Sequence, residues 1–178
     1  YIGLEMGQMY SRFGSEVHII EKSGQILSKE DQDVAKDIQK ILEAEGLKFH
    51  LNLKTERVVQ TTNGISVEVS GKGKKQQISG THLLVVTGRQ SNADSLALEK
   101  AGIKTDEKNY IKTNSKLETN VKGVFALGDI KGGPQFTHIA YNDYVIVTDR
   151  LIDQKNSSTR GRMIPYTIFT DPQIGRIG

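Results

Sequence analysis

The chain has 178 residues, 36% of them hydrophobic, with 24 Lys and Arg against 21 Asp and Glu for a net charge of +3. This is the size of one to two domains, with enough apolar material for a core. It contains no cysteine, which excludes disulfides, thiolate metal sites and a Cys redox pair within these residues.

The opening Tyr1-Ile2-Gly3-Leu4-Glu5 has no basic region followed by an apolar one and does not read as a secretory signal. It also has no leading Met, so the sequence is expected to begin in mid-chain. Residues 2 to 13 predict an amphipathic helix. Ile2, Met6, Met9, Tyr10 and Phe13 fall at helical spacing on one face, and Gly14 suits the position past its end. Val17 to Ile20 is a short apolar strand ending at Glu21. Ser28 and Asp31 read as a capping box before a stripe of Val34, Ile38, Ile41 and Leu42, closed by Gly46. Helix, strand, helix is the rhythm of a parallel α/β sheet.

The middle predicts short strands at 49–53, 57–61, 65–69 and 76–78, with turns at Asn63-Gly64 and Gly71 to Gly73. They form an antiparallel insert. Lys72 to Lys75 is the densest basic stretch. It reads as a solvated hairpin tip and not as a nucleic-acid surface, because no aromatic platform accompanies it. His82 to Thr87 and Gly123 to Asp129 are apolar runs of the kind that form strands buried on both faces. A short helix around 95–101 lies between them. A third amphipathic helix is expected at 138–152, a polar linker at 154–162 and a strand-like run at 164–169. No apolar run approaches the ~20 residues of a membrane span. A soluble, cytoplasmic protein is the expectation.

Gly3 and Glu21 are the first candidate site residues. In a dinucleotide-binding unit the third glycine of a Gly-x-Gly-x-x-Gly turn allows close strand–helix packing. An acidic residue about 20 positions on accepts hydrogen bonds from the adenosine ribose. Gly3 fits the tail of that motif, with its first strand and first two glycines expected before residue 1. Glu21 ends the next strand. Helix packing and a solvated carboxylate explain the same two residues without a ligand. If Glu21 does bind ribose, its charge favours NAD and repels the 2′-phosphate of NADP. Asp129, at the carboxyl end of an apolar run, stands where α/β sheets place ligand-contacting groups, and Gly128 permits close backbone approach. A simple Gly-Asp turn is the alternative there.

Three motifs follow in order: Thr87-Gly88-Arg89-Gln90-Ser91-Asn92, Phe125-Ala126-Leu127-Gly128-Asp129 and Phe136-Thr137-His138. With Tyr1 to Glu5 they make the chain resemble the class I pyridine nucleotide-disulfide oxidoreductases. Gly132 to His138 with Asn142-Asp143-Tyr144 is similar to the mercuric-reductase-like branch, including the reactive-chlorine-resistance flavoproteins. Pro165 to Pro172 resembles the entry into that family's dimerisation domain.

The resemblance implies an α/β, Rossmann-like FAD/NAD(P)-binding fold, a parallel sheet with an antiparallel β-meander insert, incomplete at its N-terminus. It implies an NAD(P)-binding domain at 1–118, a returning FAD-domain segment at 119–153, and a linker with the start of a dimerisation domain at 154–178. It further implies FAD and NAD as cofactors, with NADP less favoured, and a homodimer without nucleic-acid or membrane partners. Position by position, Tyr1 would cover the flavin and Glu5 would lie near the nicotinamide carboxamide. Glu21 would hold the adenosine ribose, and Gly88 would approach the nicotinamide dinucleotide. Arg89 would fix the domain junction, and Gly128-Asp129 would bind the ribityl chain. Thr137 and His138 would present a helix N-terminus to the flavin, whose reduced anion the helix dipole stabilises.

The family's proline before the Asn of the Thr-Gly-Arg motif is replaced here by Ser91. The family's redox cysteines and acid/base histidine are expected outside residues 1–178, so the chain alone is expected to be inactive. His138 is read as a backbone contributor. His18, His50 and His82 lack a metal-ligand spacing. A disulfide-lacking NADH oxidase, a ferredoxin-reductase-like enzyme and a non-enzymatic nucleotide-binding module are the alternatives.

Overall fold

The computed structural model describes residues 1–177. The described chain divides into two compact units: residues 1–87 with 167–174, and residues 88–166 with 175–177.

The first unit begins with α1 (Ile2–Arg12), which carries Glu5 in its first turn and Arg12 in its last. Both charges complement the helix dipole. Gly14, at φ +91, lets the chain leave the helix. The buried face of α1 is Leu4, Gly7 and Gln8, not the Ile2–Met6–Met9–Tyr10–Phe13 stripe. Ile2, Tyr10 and Phe13 are exposed. The physical reason is close approach to the strand behind it. A Cβ on Gly7 would lie 3.0 Å from Ile19 Cδ1, so the helix turns its small residues inward.

β1 (His18–Ile20) leads into α2 (Gln32–Ala44) and back to β2 (Lys48–His50), and the two strands pair in parallel with Ile19 opposite Phe49. This is a β-α-β crossover. α2 buries Ala35, Ile38 and Leu42. Its start is not a capping box. Asp31 is the N-cap, with no side-chain cap hydrogen bond, so Ser28 lies a turn too early to serve. Its end does follow expectation. Gly46 has φ +98, its N–H donates to Glu43, and Leu47 N–H donates to Leu42 O at 3.1 Å. That is a Schellman ending, with Leu42 and Leu47 both buried.

β3 (Lys54–Thr61), β4 (Gly64–Gly71) and β5 (Lys74–Gly80) form an antiparallel meander. Phe49 and His50, expected in this insert, belong instead to the parallel pair. Lys72 and Gly73 both have positive φ, as a two-residue type I′ hairpin requires. The first hairpin turns on Thr62-Asn63, with Gly64 opening the next strand. Only the central strand has a buried interior, at Val67 and Val69.

The run His82 to Thr87 is not a strand, and it is exposed, with Val85 67% accessible. Among the described residues no strand pairs with it. It is still held at one point. A Cβ on Gly3 would lie 3.0 Å from Val86 Cγ2.

The second unit is loop-rich. Two 3-10 turns, Ala93–Leu96 and Leu98–Ala101, stand in place of the expected short helix. Gly123 to Asp129 is also not a strand. It makes one isolated bridge, Glu118 to Phe125, and ends in a 3-10 turn at Gly128–Lys131, where Gly128 has φ +71. Pairing on one side only, followed by a left-handed residue, stops a ladder from extending. α3 (Thr137–Leu151) buries Ile139, Asp143 and Ile146. Ala93, Ile111, Leu117 and Ala126 are the other buried apolar residues of this unit. Two short strands, β6 (Tyr166–Ile168) and β7 (Ile174–Arg176), end the described chain.

Among the described residues, no helix is long and apolar enough to cross a membrane.

Candidate functional site

In the first unit the candidates gather around α1 and the carboxyl end of β1. Glu21 follows β1 directly. Its N–H donates to His50 O at 3.0 Å, and its carbonyl accepts from Leu53 N–H at 3.1 Å. These bonds carry the parallel ladder past the strand end and fix the backbone that bears the carboxylate. Ser23 N–H then donates to Glu21 Oε1 at 2.8 Å. One oxygen is thus anchored, which orients the other. Gly3 and Gly7, on one face of α1, permit the close helix packing described above. The chemistry of this acceptor suits a diol: an oriented, half-buried carboxylate at a strand end can accept from vicinal hydroxyls.

Tyr1 precedes α1, and its hydroxyl donates to Glu30 Oε1 at 3.0 Å. Glu5 Oε1 accepts from Phe169 N–H at 2.8 Å. Gln8 and Arg12 continue that contact along the helix. Gln8 Nε2 donates to Asp171 O, and Asp171 N–H donates to Gln8 Oε1, each at 2.8 Å. Arg12 pairs with Glu45 at 2.7 Å and Asp171 at 2.9 Å. Its hydrogen bond to Glu45 raises the guanidinium pKa and lowers that of Glu45. Glu5, Gln8 and Arg12 therefore form one polar stripe that docks residues 169–171.

In the second unit, Gly88 has φ +129, a conformation that favours glycine. Arg89 makes an ion pair with Asp129 in which both side chains are about half exposed. Its carbonyl accepts from Tyr110 Oη at 3.2 Å, and Gln135 Nε2 donates to the same hydroxyl at 3.2 Å. Arg89 to Asn92, Asp129, Ile130 and Gln135 line an open recess of about 440 Å³. Arg89 and Asp129, singled out separately in the sequence, are thus brought together at one rim. The N-terminus of α3 has no side-chain cap, and Thr137 and His138 are exposed there. Uncapped amides and the helix dipole make this end suited to an anion. The His138 ring stacks on Phe136, 5.4 Å between centroids, and Phe136 stacks on Tyr166.

Sequence reasoning singled out no role for Asp143, Lys131 or Arg162. Asp143 is fully buried, yet it carries a charge. Its Oδ2 accepts Gly128 N–H at 3.0 Å and pairs with Lys131 Nζ at 3.2 Å; its Oδ1 accepts from Arg162 Nη1 at 2.6 Å. Both cations are themselves largely buried. Breaking such a group by removing one partner costs about 3–5 kcal/mol. A signal was present in the sequence: Asp143 sits on the Ile139–Ile146 face, where helical spacing calls for an apolar residue.

The four histidines do not converge on a metal centre. Among the described residues, no group of three or more His, Asp or Glu is arranged to hold an ion. His18 Nδ1 and His50 Nε2 do lie 2.8 Å apart with nearly parallel rings, and Glu16 accepts from His18 Nε2 at 2.9 Å.

Comparison with known proteins bears on these arrangements. Residues 1–143 match the family described as pyridine nucleotide-disulphide oxidoreductase. The chain is 37% identical over its whole length to the probable pyridine nucleotide-disulfide oxidoreductase RclA of Escherichia coli, covering 40% of that protein. It is 35% identical to a dihydrolipoyl dehydrogenase of Cupriavidus necator and 33% identical to a mercuric reductase of Lysinibacillus sphaericus, covering 37% and 33% of them. The solved structure of the HOCl-induced flavoprotein disulfide reductase RclA superposes with a TM-score of 0.91 at 36% identity, over all of this chain and 40% of that one. The chain therefore spans well under half the length of these relatives.

Proposed function

The chain belongs to the pyridine nucleotide-disulphide oxidoreductases, and from that membership we propose that it serves an FAD-dependent enzyme that takes hydride from NADH and passes electrons to a disulfide or metal substrate. The observation that carries this reading is the family match over residues 1–143, which spans both the Gly3–Glu21 arrangement and the Arg89–Asp129 pair. The names of the relatives, reductases and dehydrogenases, do not favour the disulfide-lacking or non-enzymatic alternatives.

When bound, the flavin supplies the two-electron chemistry. The chain's residues then bind and orient. Glu21 accepts from the adenosine ribose hydroxyls and sets the preference for NAD over NADP. Gly3 allows the close packing of α1 at the dinucleotide site, and Gly88 allows close approach of backbone to the dinucleotide. Glu5, oriented by Phe169 N–H, receives the nicotinamide carboxamide, and Tyr1 covers the flavin. Asp129, held by Arg89, accepts from the ribityl chain, while Thr137 and His138 offer backbone N–H groups to the flavin ring. Residues 1–118, 119–153 and 154–178 divide these tasks as NAD(P) domain, FAD-domain segment, and linker with the start of a dimerisation domain. A cytoplasmic homodimer with neither nucleic-acid nor membrane partners completes the proposal.

The test is reductive titration of the whole flavoprotein. NADH is expected to bleach the flavin's visible absorbance anaerobically, and NADPH to do so far less effectively. A flavin that neither nucleotide reduces refutes the activity. Equal use of both refutes the role given to Glu21.

A further inference from the structure

We propose that Asp143 is a positioning residue for the Asp129 site, acting by clamping both ends of the turn that carries Asp129. The inference rests on the flavin-binding reading of Asp129. A fully buried carboxylate occupies the apolar face of α3, between Ile139 and Ile146. Such a charge is costly unless every partner is placed.

The partners are placed on the turn. Gly128–Lys131 is a four-residue 3-10 turn. The N–H of its first residue donates to Asp143 Oδ2 at 3.0 Å. The ammonium of its last residue pairs with that same oxygen at 3.2 Å, and the Lys131 side chain is only 9% exposed. One oxygen atom therefore holds the beginning and the end of the turn, and Asp129 lies between them. The other oxygen is held by Arg162, which also donates to Asn142 Oδ1 at 3.1 Å. That leaves the Asp143 carboxylate little freedom to rotate. Gly128 packs close to α3, where a Cβ would lie 3.4 Å from Ala140 Cβ.

Asp129 itself is half exposed and steadied by the exposed Arg89. A surface ion pair alone fixes direction weakly. The rigidity needed to aim Asp129 at a ligand comes from the buried clamp beneath it, the arrangement that a preorganised site requires.

The test is a double-mutant cycle on FAD affinity in the whole flavoprotein. Apoprotein is titrated with FAD, followed by flavin fluorescence, with denaturation of each apo form in parallel. Asp129→Asn is expected to weaken FAD between about tenfold and a hundredfold, as loss of a charged acceptor does. Asp143→Asn is expected to weaken it about tenfold through lost preorganisation. If Asp143 acts through Asp129, the double variant binds FAD as Asp129→Asn does, to within about twofold. Losses that multiply mean that Asp143 acts only on the fold, and they overturn the inference. An Asp129→Asn variant that binds FAD as tightly as the parent overturns the flavin reading itself, and the role of Asp143 with it. If Asp143→Asn does not fold, Lys131→Met takes its place in the cycle. It frees the far end of the turn and leaves the Asp143–Arg162 pair intact.

Discussion

Replacing Glu21 by Ala removes the carboxylate proposed to select the nicotinamide cofactor. The size of the effect follows from its surroundings. Oε1 is already engaged by Ser23 N–H at 2.8 Å, so ribose recognition falls chiefly to the second oxygen. A hydrogen bond to a charged acceptor contributes roughly 1.5–3 kcal/mol. Glu21 is half-buried, so solvent competes and the lower part of that range applies. About 1.5–2 kcal/mol corresponds to roughly a 10- to 30-fold loss. The expected result is that fall in kcat/KM for NADH, with KM rising and kcat little changed, since the adenosine end makes the same contact in ground and transition states. NADPH moves the other way, because the carboxylate no longer repels its 2′-phosphate. The assay is steady-state turnover with both nucleotides. An NADH kcat/KM that stays within about twofold of the parent refutes the assignment.

Gln8→Leu keeps the size of a buried side chain but leaves the Asp171 N–H and carbonyl without the partners they have at 2.8 Å. A loss of about 1–3 kcal/mol is expected in urea denaturation, and an unchanged midpoint refutes the role of the α1 stripe. Gly7→Val places branched carbon where a single Cβ already lies 3.0 Å from Ile19, so overpacking of about 1–3 kcal/mol is expected in thermal unfolding. His50 is pushed below its ordinary 6.5 by burial first, then by His18 and Lys48. The unfolded chain therefore binds a proton that the fold resists. Stability is full above 6.5 and falls as pH drops through the folded value. Glu16, held down to about 2 by hydrogen bonds from Lys48 and then His18, loses its contribution only below its ordinary 4.5. Just below pH 6.5, where Glu16 does not yet titrate, His50→Asn should flatten the slope of stability against pH; an unchanged slope there refutes the assignment.

Much of this molecule was legible in the sequence because its cues are local. Gly46 past a helix end, Lys72-Gly73 in a two-residue hairpin and the 3.6-residue period of α2 and α3 each act within a few positions. The ordered motifs from Gly3 to His138 were local as well, and they sufficed to indicate the family. What tertiary structure decided was burial. Leu83 to Val86 and Gly123 to Leu127 have strand-like composition, but a strand needs a neighbour, and pairing is not written in the run itself. α1 shows the same limit. Ile2, Tyr10 and Phe13 of its apolar stripe are exposed, because close approach to β1 selects Gly7 and not Met6 for the buried face. Asp143 is the sharpest case. The sequence by itself determined a carboxylate on an apolar helix face, and only the folded chain brought Gly128, Lys131 and Arg162 to it from elsewhere, turning a costly charge into a clamp.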